Sequence, residues 1–163
     1  MNVATEQKIL IIESDPKLRQ QMETLLRQEG FATAAAASGR EALLLEATAP
    51  PALILLDLQL EDMAGREFLQ CQDQLGRRTP FILLAGQGDT RAAVEMMKQG
   101  ALECAIKDGD FPRCVPEVAR RALARIEREA ARKQAEQRHQ IQYATTRVLA
   151  EADTLAEAAT TAL

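Results

Sequence analysis

Three residues of this chain whose side chains could do chemistry stand at the ends of apolar runs. Glu13, Asp57 and Lys107 each directly follow a short run of apolar residues. Such runs, separated by helix-patterned segments, are typical of buried strands in a parallel sheet. In these sheets ligands bind at the carboxyl ends of the strands. We therefore expect two acids and one amine to converge at one edge of the sheet. The two acids indicate that a cation could bind at this edge.

Strand and helix signals alternate up to Lys107. Asp15-Pro16 is typical of a helix start, Gly30 of a helix stop, and Ser38-x-x-Glu41 of a capping box. This alternation predicts an α/β fold: a doubly wound, five-stranded parallel sheet in the flavodoxin-like order 2-1-3-4-5, with a long C-terminal helical extension. The predicted strands are 9–12, 31–35, 52–57, 81–84 and 104–106, and the predicted helices are 16–29, 42–47, 67–74 and 91–99.

Composition narrows the class of protein. The chain has 163 residues, 47% of them apolar, and a net charge of −4, which fits one globular domain plus an extension. No apolar run approaches the roughly 20 residues that span a bilayer. Residues 1–8 are too polar for a signal peptide, so we expect a cytoplasmic protein. Cys71, Cys104 and Cys114 lack the spacing of a disulfide framework or a zinc site.

Two stretches carry a family resemblance. Leu55-Leu56-Asp57-Leu58-x-Leu60 followed by Gly65, and Gly100-Ala101 six residues before Lys107, resemble the receiver (phosphoacceptor) domain of two-component response regulators. The resemblance covers residues 8 to about 125. It implies that Asp57 accepts a phosphoryl group from a histidine kinase or phosphotransfer protein and that Lys107 is its catalytic partner. Taken alone, Asp57 could be an ordinary cap or turn aspartate, and Lys107 a solvated loop lysine.

The resemblance also implies a magnesium site. Its ligands would be the carboxylates of Asp57 and Glu13, the latter acting through water, and the backbone carbonyl of Gln59. Ser14 stands where receivers usually have a second acid, so we expect weak magnesium binding. Asp15 is better explained as a helix cap, and Glu13 could be a solvent-facing acid.

Two further positions depart from the receiver pattern. Receivers usually end strand four with a Thr or Ser and place an aromatic residue three before the lysine. Here these positions are Ala85 and Cys104. A methyl group cannot donate a hydrogen bond to a phosphoryl oxygen, and a thiol has no ring that could change its rotamer. We therefore expect any signal to leave the domain by another route.

The C-terminal third of the chain predicts a long polar helix from Arg113 to about Ala150. A mixed heptad seam that includes Leu123 and Ile126 predicts a weak parallel homodimer, with a single extended helix as the alternative. Residues 141–163, with the capping box Thr154-x-x-Glu157, resemble the opening of a GAF sensor domain. We expect a receiver domain at 1–125, a signalling or coiled-coil helix at 126–150, and the start of a GAF domain at 151–163, as a piece of a longer signalling protein.

Other activities for the extension are disfavoured. Its arginines alternate with glutamates, so no direct nucleic-acid binding is expected. His139 lacks the surroundings of a kinase histidine and is interpreted as a surface residue. The favoured function is a phosphorylated regulatory domain that relays its state through the C-terminal helix. The alternatives are a non-phosphorylated pseudo-receiver that acts as an interaction module and, less favoured, a flavodoxin-like cofactor binder, which Glu13-Ser14-Asp15 argue against because they would repel a phosphate.

Overall fold

The structure, a computed structural model, describes the backbone of residues 8–161 and the side chains of residues 8–152. The polar segment before Lys8, which argues against a signal peptide, lies outside the described residues. In the part of the chain that is described, no helix is long and apolar enough to cross a membrane.

One sheet of five parallel strands forms the centre of the fold. The three central strands are apolar runs buried almost completely, because helices cover both faces of a parallel sheet. The predicted fold class and strand order are confirmed, and strand two lies one residue later than predicted. In the order β2-β1-β3-β4-β5 along the sheet, the strands are β1 (Lys8–Ile12), β2 (Ala32–Ala36), β3 (Leu53–Asp57), β4 (Phe81–Ala85) and β5 (Glu103–Ile106).

Four helices connect successive strands, and a fifth follows β5. Parallel neighbours need such crossovers, because a tight turn cannot return the chain to the same end of the sheet. The buried side of α3 contributes Phe68, which is fully buried in the core together with residues of β1, β3 and β4. The helices are α1 (Pro16–Gln28), α2 (Gly39–Thr48), α3 (Gly65–Gln74), α4 (Thr90–Lys98) and α5 (Phe111–Thr161).

The predicted N-caps of α1 and α2, Asp15 and Ser38, are confirmed. Asp15 caps α1, since its Oδ1 accepts hydrogen bonds from the amides of Lys17 at 2.8 Å and Leu18 at 3.3 Å. Ser38 caps α2, with its Oγ accepting from the Glu41 amide at 3.2 Å. Because Ser38 is the cap itself, α2 begins three residues before the predicted start at 42.

Asp89 occupies the N-cap position of α4, but its side chain makes no hydrogen bond to that helix. Its Oδ2 instead accepts from the Gly86 amide at 2.9 Å, so it stabilises the preceding turn.

The chain divides into two compact units, residues 1–124 and 125–163. The first turns of α5 belong to the first unit, where Phe111, Val115, Ala119 and Leu123 are buried. The prediction that Leu123 belongs to an intermolecular seam is therefore wrong, because this side chain already packs inside its own unit.

In the second unit, the described side chains from 127 to 152 are exposed. Three Arg/Glu pairs four residues apart stabilise the helical backbone by a few tenths of a kcal/mol each. They are Arg125–Glu129, Arg132–Glu136 and Arg147–Glu151.

The limits of α5 differ from the prediction at both ends. The helix begins at Phe111 rather than Arg113 and runs without interruption to Thr161, past the predicted end near Ala150. The Thr154-x-x-Glu157 pattern therefore does not start a new helix. The start of a GAF domain at 151–163 stays a prediction, and the last two residues of this range lie outside the described part.

Candidate functional site

The two acids and the lysine singled out in the sequence lie together at the carboxyl edge of the sheet. Asp57 ends β3, Glu13 follows β1, and Lys107 follows β5. The Lys107 Nζ lies 2.7 Å from Glu13 Oε2 and 2.8 Å from Asp57 Oδ1. A backbone hydrogen bond from the Lys107 amide to the Ala85 carbonyl, at 2.8 Å, extends the β4–β5 pairing up to the lysine. One ammonium group thus bridges two carboxylates.

Burial makes these contacts strong. Glu13 is 2% exposed and Asp57 is 7% exposed, whereas the Lys107 side chain keeps about a fifth of its surface. Burial, together with the nearby Asp57 charge, raises the pKa of Glu13, although Lys107 and the Asp15 amide oppose the change. Burial alone would lower the pKa of Lys107, but its contacts with Asp57 and Glu13 outweigh this and raise the pKa. Lys107 is therefore charged at neutral pH.

The backbone around Glu13 is fixed by groups that the sequence did not single out. Glu13 Oε1 accepts a hydrogen bond from the Asp15 amide at 3.0 Å. Arg19 donates from Nη1 to the Glu13 carbonyl at 2.6 Å and to the Ser14 carbonyl at 3.2 Å. An arginine one turn into α1 is common, so only the structure identifies this role. The Asp15 carboxylate is engaged in capping α1 through its Oδ1.

Ser14 lies among three loops at the carboxyl edge. Its Oγ is 3.4 Å from the Ala37 carbonyl and 3.4 Å from the Gln59 carbonyl. Both distances are long for a hydroxyl donor, so the two contacts are weak. Ser14 thus reaches the carbonyl expected to bind magnesium but brings no negative charge to it.

Gly65 lies against Asp57 and permits the tight return of the chain. A Cβ added at Gly65 would lie 2.7 Å from the Asp57 carbonyl oxygen, closer than side-chain and backbone atoms approach. The Gly65 amide also donates to the Leu58 carbonyl at 2.9 Å. The close approach of the Asp57 backbone therefore explains why a glycine stands at position 65 of the family-like stretch.

Ala85 and Cys104, which replace a hydroxyl and an aromatic residue in the predicted pattern, lie on the neighbouring strands β4 and β5. Ala85 ends β4 and is fully buried, and Cys104 pairs with Leu83 in the sheet. Burial, reinforced by the charge of Glu103, raises the pKa of the Cys104 thiol, so it stays a neutral thiol at neutral pH. Neither side chain offers a strong hydrogen-bond donor to a phosphoryl group.

The oxygen donors at this edge suit magnesium better than a softer metal. Among the described residues, no three or more His, Cys, Asp or Glu side chains are placed so that together they could hold a metal ion. Magnesium needs only one or two carboxylates, with waters and other oxygens completing its ligands. The Asp57 carboxylate and the Gln59 carbonyl fit this donor set, while Glu13 Oε2 already contacts Lys107.

Comparisons with known sequences point to the family that the sequence resembles. A sequence model of the response regulator receiver domain matches residues 9–119. The regulatory protein AtoC of Escherichia coli (strain K12) is 33% identical over 104 residues, which are 64% of this chain and 23% of that protein. The DNA-binding response regulator MtrA of Mycolicibacterium smegmatis is 32% identical over 122 residues, which are 75% of this chain and 51% of that protein. This chain thus spans about half or less of these relatives.

Solved structures agree as well. A CheY-like response regulator receiver domain protein from Methanospirillum hungatei JF-1 superposes with a TM-score of 0.66 at 27% identity, covering 76% of this chain and 98% of that one. The receiver domain of the Francisella response regulator 1452 gives a TM-score of 0.65 at 26% identity, with 76% and 98% covered. On the strength of the sequence match and this shared fold, the chain belongs to the response regulator receiver domain family of two-component systems.

Proposed function

We propose that Asp57 accepts a phosphoryl group from the phosphohistidine of a histidine kinase or phosphotransfer protein. The observation that carries the proposal is the 2.8 Å contact between the Lys107 ammonium and Asp57 Oδ1 at the carboxyl edge of the sheet. In the transfer, an Asp57 oxygen bonds to phosphorus while the P–N bond breaks. The electron pair of that bond stays on the imidazole nitrogen, and Lys107 offsets negative charge on the phosphoryl oxygens.

Magnesium is the metal that this site would use. When bound, it would offset the charge of Asp57 and of the incoming phosphoryl group. Asp57 and the Gln59 carbonyl would hold it, with Glu13 contributing through water. With Ser14 neutral and Glu13 paired to Lys107, we expect weaker binding than at a site with an acidic pair.

A pseudo-receiver is the second candidate, and a specific observation favours it. Lys107 already bridges both acids of the site, and Ser14 removes the acid that usually recruits the metal. In this state the Lys107 ammonium would offset the charge of the two carboxylates without a metal cation. The chain would then act through protein contacts alone.

Phosphorylation of the full chain separates the two candidates. We expect incubation with a small acyl phosphate and magnesium to add the mass of one phosphoryl group. Asp57→Asn should abolish this addition, whereas Asp15→Asn, which alters a nearby carboxylate used for capping, should retain it. A wild-type chain that stays unmodified under these conditions would support the pseudo-receiver.

The second unit is proposed to transmit the state as a paired helix. Exposed apolar side chains at Ile141 and Val148 are spaced by seven residues, as one seam position of a parallel pair requires. We expect the wild-type chain to sediment as a dimer at high concentration, and Ile141→Glu with Val148→Glu to make it monomeric. A matched pair of changes, His139→Glu with Thr146→Glu, should test whether added charge alone separates the chains, because these two exposed residues lie on the opposite side of the helix from Ile141 and Val148. Equal monomeric masses for wild type and both variants would leave the single extended helix as the answer.

The remaining partners follow from the family. We expect a cytoplasmic location and no direct nucleic-acid contact by this chain, although the relative MtrA is a DNA-binding response regulator. Three exposed arginines of the second unit, Arg125, Arg132 and Arg147, pair with glutamates four residues away, which lowers their availability to phosphates.

A further inference from the structure

The loop between β3 and α3 carries part of the proposed site and is a compact turn. We call residues 58–64 the acceptor loop. The Leu60 amide donates to the Met63 carbonyl at 3.1 Å, and Gln59 forms an isolated bridge with Ala64. These bonds shape the loop internally, and the Leu58 and Leu60 side chains are buried in the core.

Asp62 attaches the acceptor loop to the start of α2. Its Oδ1 accepts from the Gly39 amide at 2.8 Å, and its Oδ2 accepts from the Arg40 amide at 3.0 Å. Ser38 caps only the next amide, that of Glu41. Two of the first three amides of α2 are thus satisfied by a residue more than twenty positions away. Burial acts to raise the pKa of Asp62. The hydrogen bonds from the Arg40 and Gly39 amides, together with the Arg40 charge, outweigh it and lower the pKa.

A steric contact beside Asp62 supports the same attachment. A Cβ added at Gly39 would overlap the sulfur of Met63, so the loop packs directly onto the first residue of α2. On the other side of the loop, the Gln59 carbonyl contacts Ser14. Besides its two buried leucines, the acceptor loop is therefore held at two further places, strongly by Asp62 and weakly by Ser14.

We propose that Asp62 is a positioning residue: by capping α2 from the acceptor loop, it holds the Gln59 carbonyl in place beside Asp57 and links that loop to α2. The part concerning phosphorylation rests on the function proposed above. A carboxylate suits the role because it accepts two amide hydrogen bonds at once and is favoured at the positive end of a helix.

Hydrogen exchange of the full chain, without magnesium or phosphodonor, tests the attachment itself. Asp62→Ala should raise exchange about tenfold at the Gly39 and Arg40 amides and within the acceptor loop, because the capping hydrogen bonds are lost. The matched control is Ser38→Ala, which removes a cap of the same helix but leaves the loop attached. It should raise exchange at Glu41 while the acceptor loop keeps its wild-type protection. Unchanged loop exchange in Asp62→Ala would overturn the proposal.

Phosphorylation rates then test the consequence for the site. With acyl phosphate and magnesium, Asp62→Ala should be phosphorylated about tenfold more slowly than wild type, since small displacements of positioning groups are costly. Ser38→Ala should stay within about twofold of wild type. Equal slowing by both changes would overturn the positioning role, because loss of helix capping would then explain it. If wild type itself is not phosphorylated, the proposed function fails while the exchange comparison still decides the attachment.

Discussion

Replacing Lys107 by methionine would leave two buried carboxylates side by side without their shared cation. Methionine keeps most of the side-chain volume, so the change isolates the charge. Removing one partner of a buried ion pair costs about 3–5 kcal/mol. Because the Lys107 side chain is 21% exposed, water screens part of this interaction, and we expect a loss of about 2–3 kcal/mol of unfolding free energy near neutral pH.

The loss should depend on pH in a defined direction. The pKa of Glu13 is already raised by burial, and without Lys107 it would rise further. A carboxyl group with a raised pKa binds more protons in the folded than in the unfolded state, so the unfolding free energy falls as pH rises through its titration range. The deficit of Lys107→Met should therefore shrink by about 1 kcal/mol between pH 7.5 and pH 5. The raised pKa of Lys107 means that the wild type loses this ammonium's contribution only at alkaline pH.

Urea unfolding, followed through hydrogen exchange of the β1 and β3 amides, reports on the receiver unit without interference from the second unit. Lys98→Met is the matched control, because Lys98 is an exposed lysine, and it should change stability by no more than about 0.5 kcal/mol. A Lys107→Met chain as stable as the control at neutral pH, or a deficit that grows on acidification, would refute the ion-pair reasoning.

The remaining predictions concern the metal and the response. Ser14→Asp should tighten magnesium binding by about 1 kcal/mol or more, because it adds a carboxylate near the Gln59 carbonyl; calorimetric titration giving equal affinities would exclude Ser14 from the site. Phosphorylation of Asp57 should change hydrogen exchange mainly in the loops after Asp57 and Ala85; changes confined to α4 and β5 would contradict this. Gly65→Ala should slow phosphorylation by about tenfold or more, because the added methyl displaces the Asp57 backbone; mass spectrometry showing the wild-type rate would argue against that displacement.

The sheet could be predicted from the sequence because its signals are local and agree with one another. Continuous apolar runs specify the buried strands β1, β3 and β4, and the caps at Asp15 and Ser38 specify two helix starts. The convergence of Glu13, Asp57 and Lys107 follows from parallel topology once the strand order is known. The sequence did not reveal that Lys107 contacts both acids, since that depends on side-chain reach across β4.

Long-range backbone contacts were beyond local reasoning. The Asp62 carboxylate and the Arg19 guanidinium both bind backbone groups. Every residue has such groups, so the sequence does not indicate which of them a distant side chain will bind. The end of α5 was mispredicted for a related reason. A capping pattern such as the one at Thr154 marks a helix start only where the residues before it are not helical. Here the helix continues through the pattern.

The side chains at four positions bear on how a phosphorylated state could leave the domain. Under the proposed function, Asp57 and Lys107 supply the carboxylate and the ammonium for the transfer, whereas Ala85 has no hydroxyl and Cys104 no ring with which to report it to α4 and β5. A new dianionic group at Asp57 would compete for Lys107 and so weaken its contact with Glu13. It would also lie next to the acceptor loop, whose attachment through Asp62 leads to α2. Under the proposed function, the response in the loop after Asp57 is therefore expected to reach the start of α2, where the Asp62 hydrogen bonds attach the loop, while α4 and β5 themselves respond little.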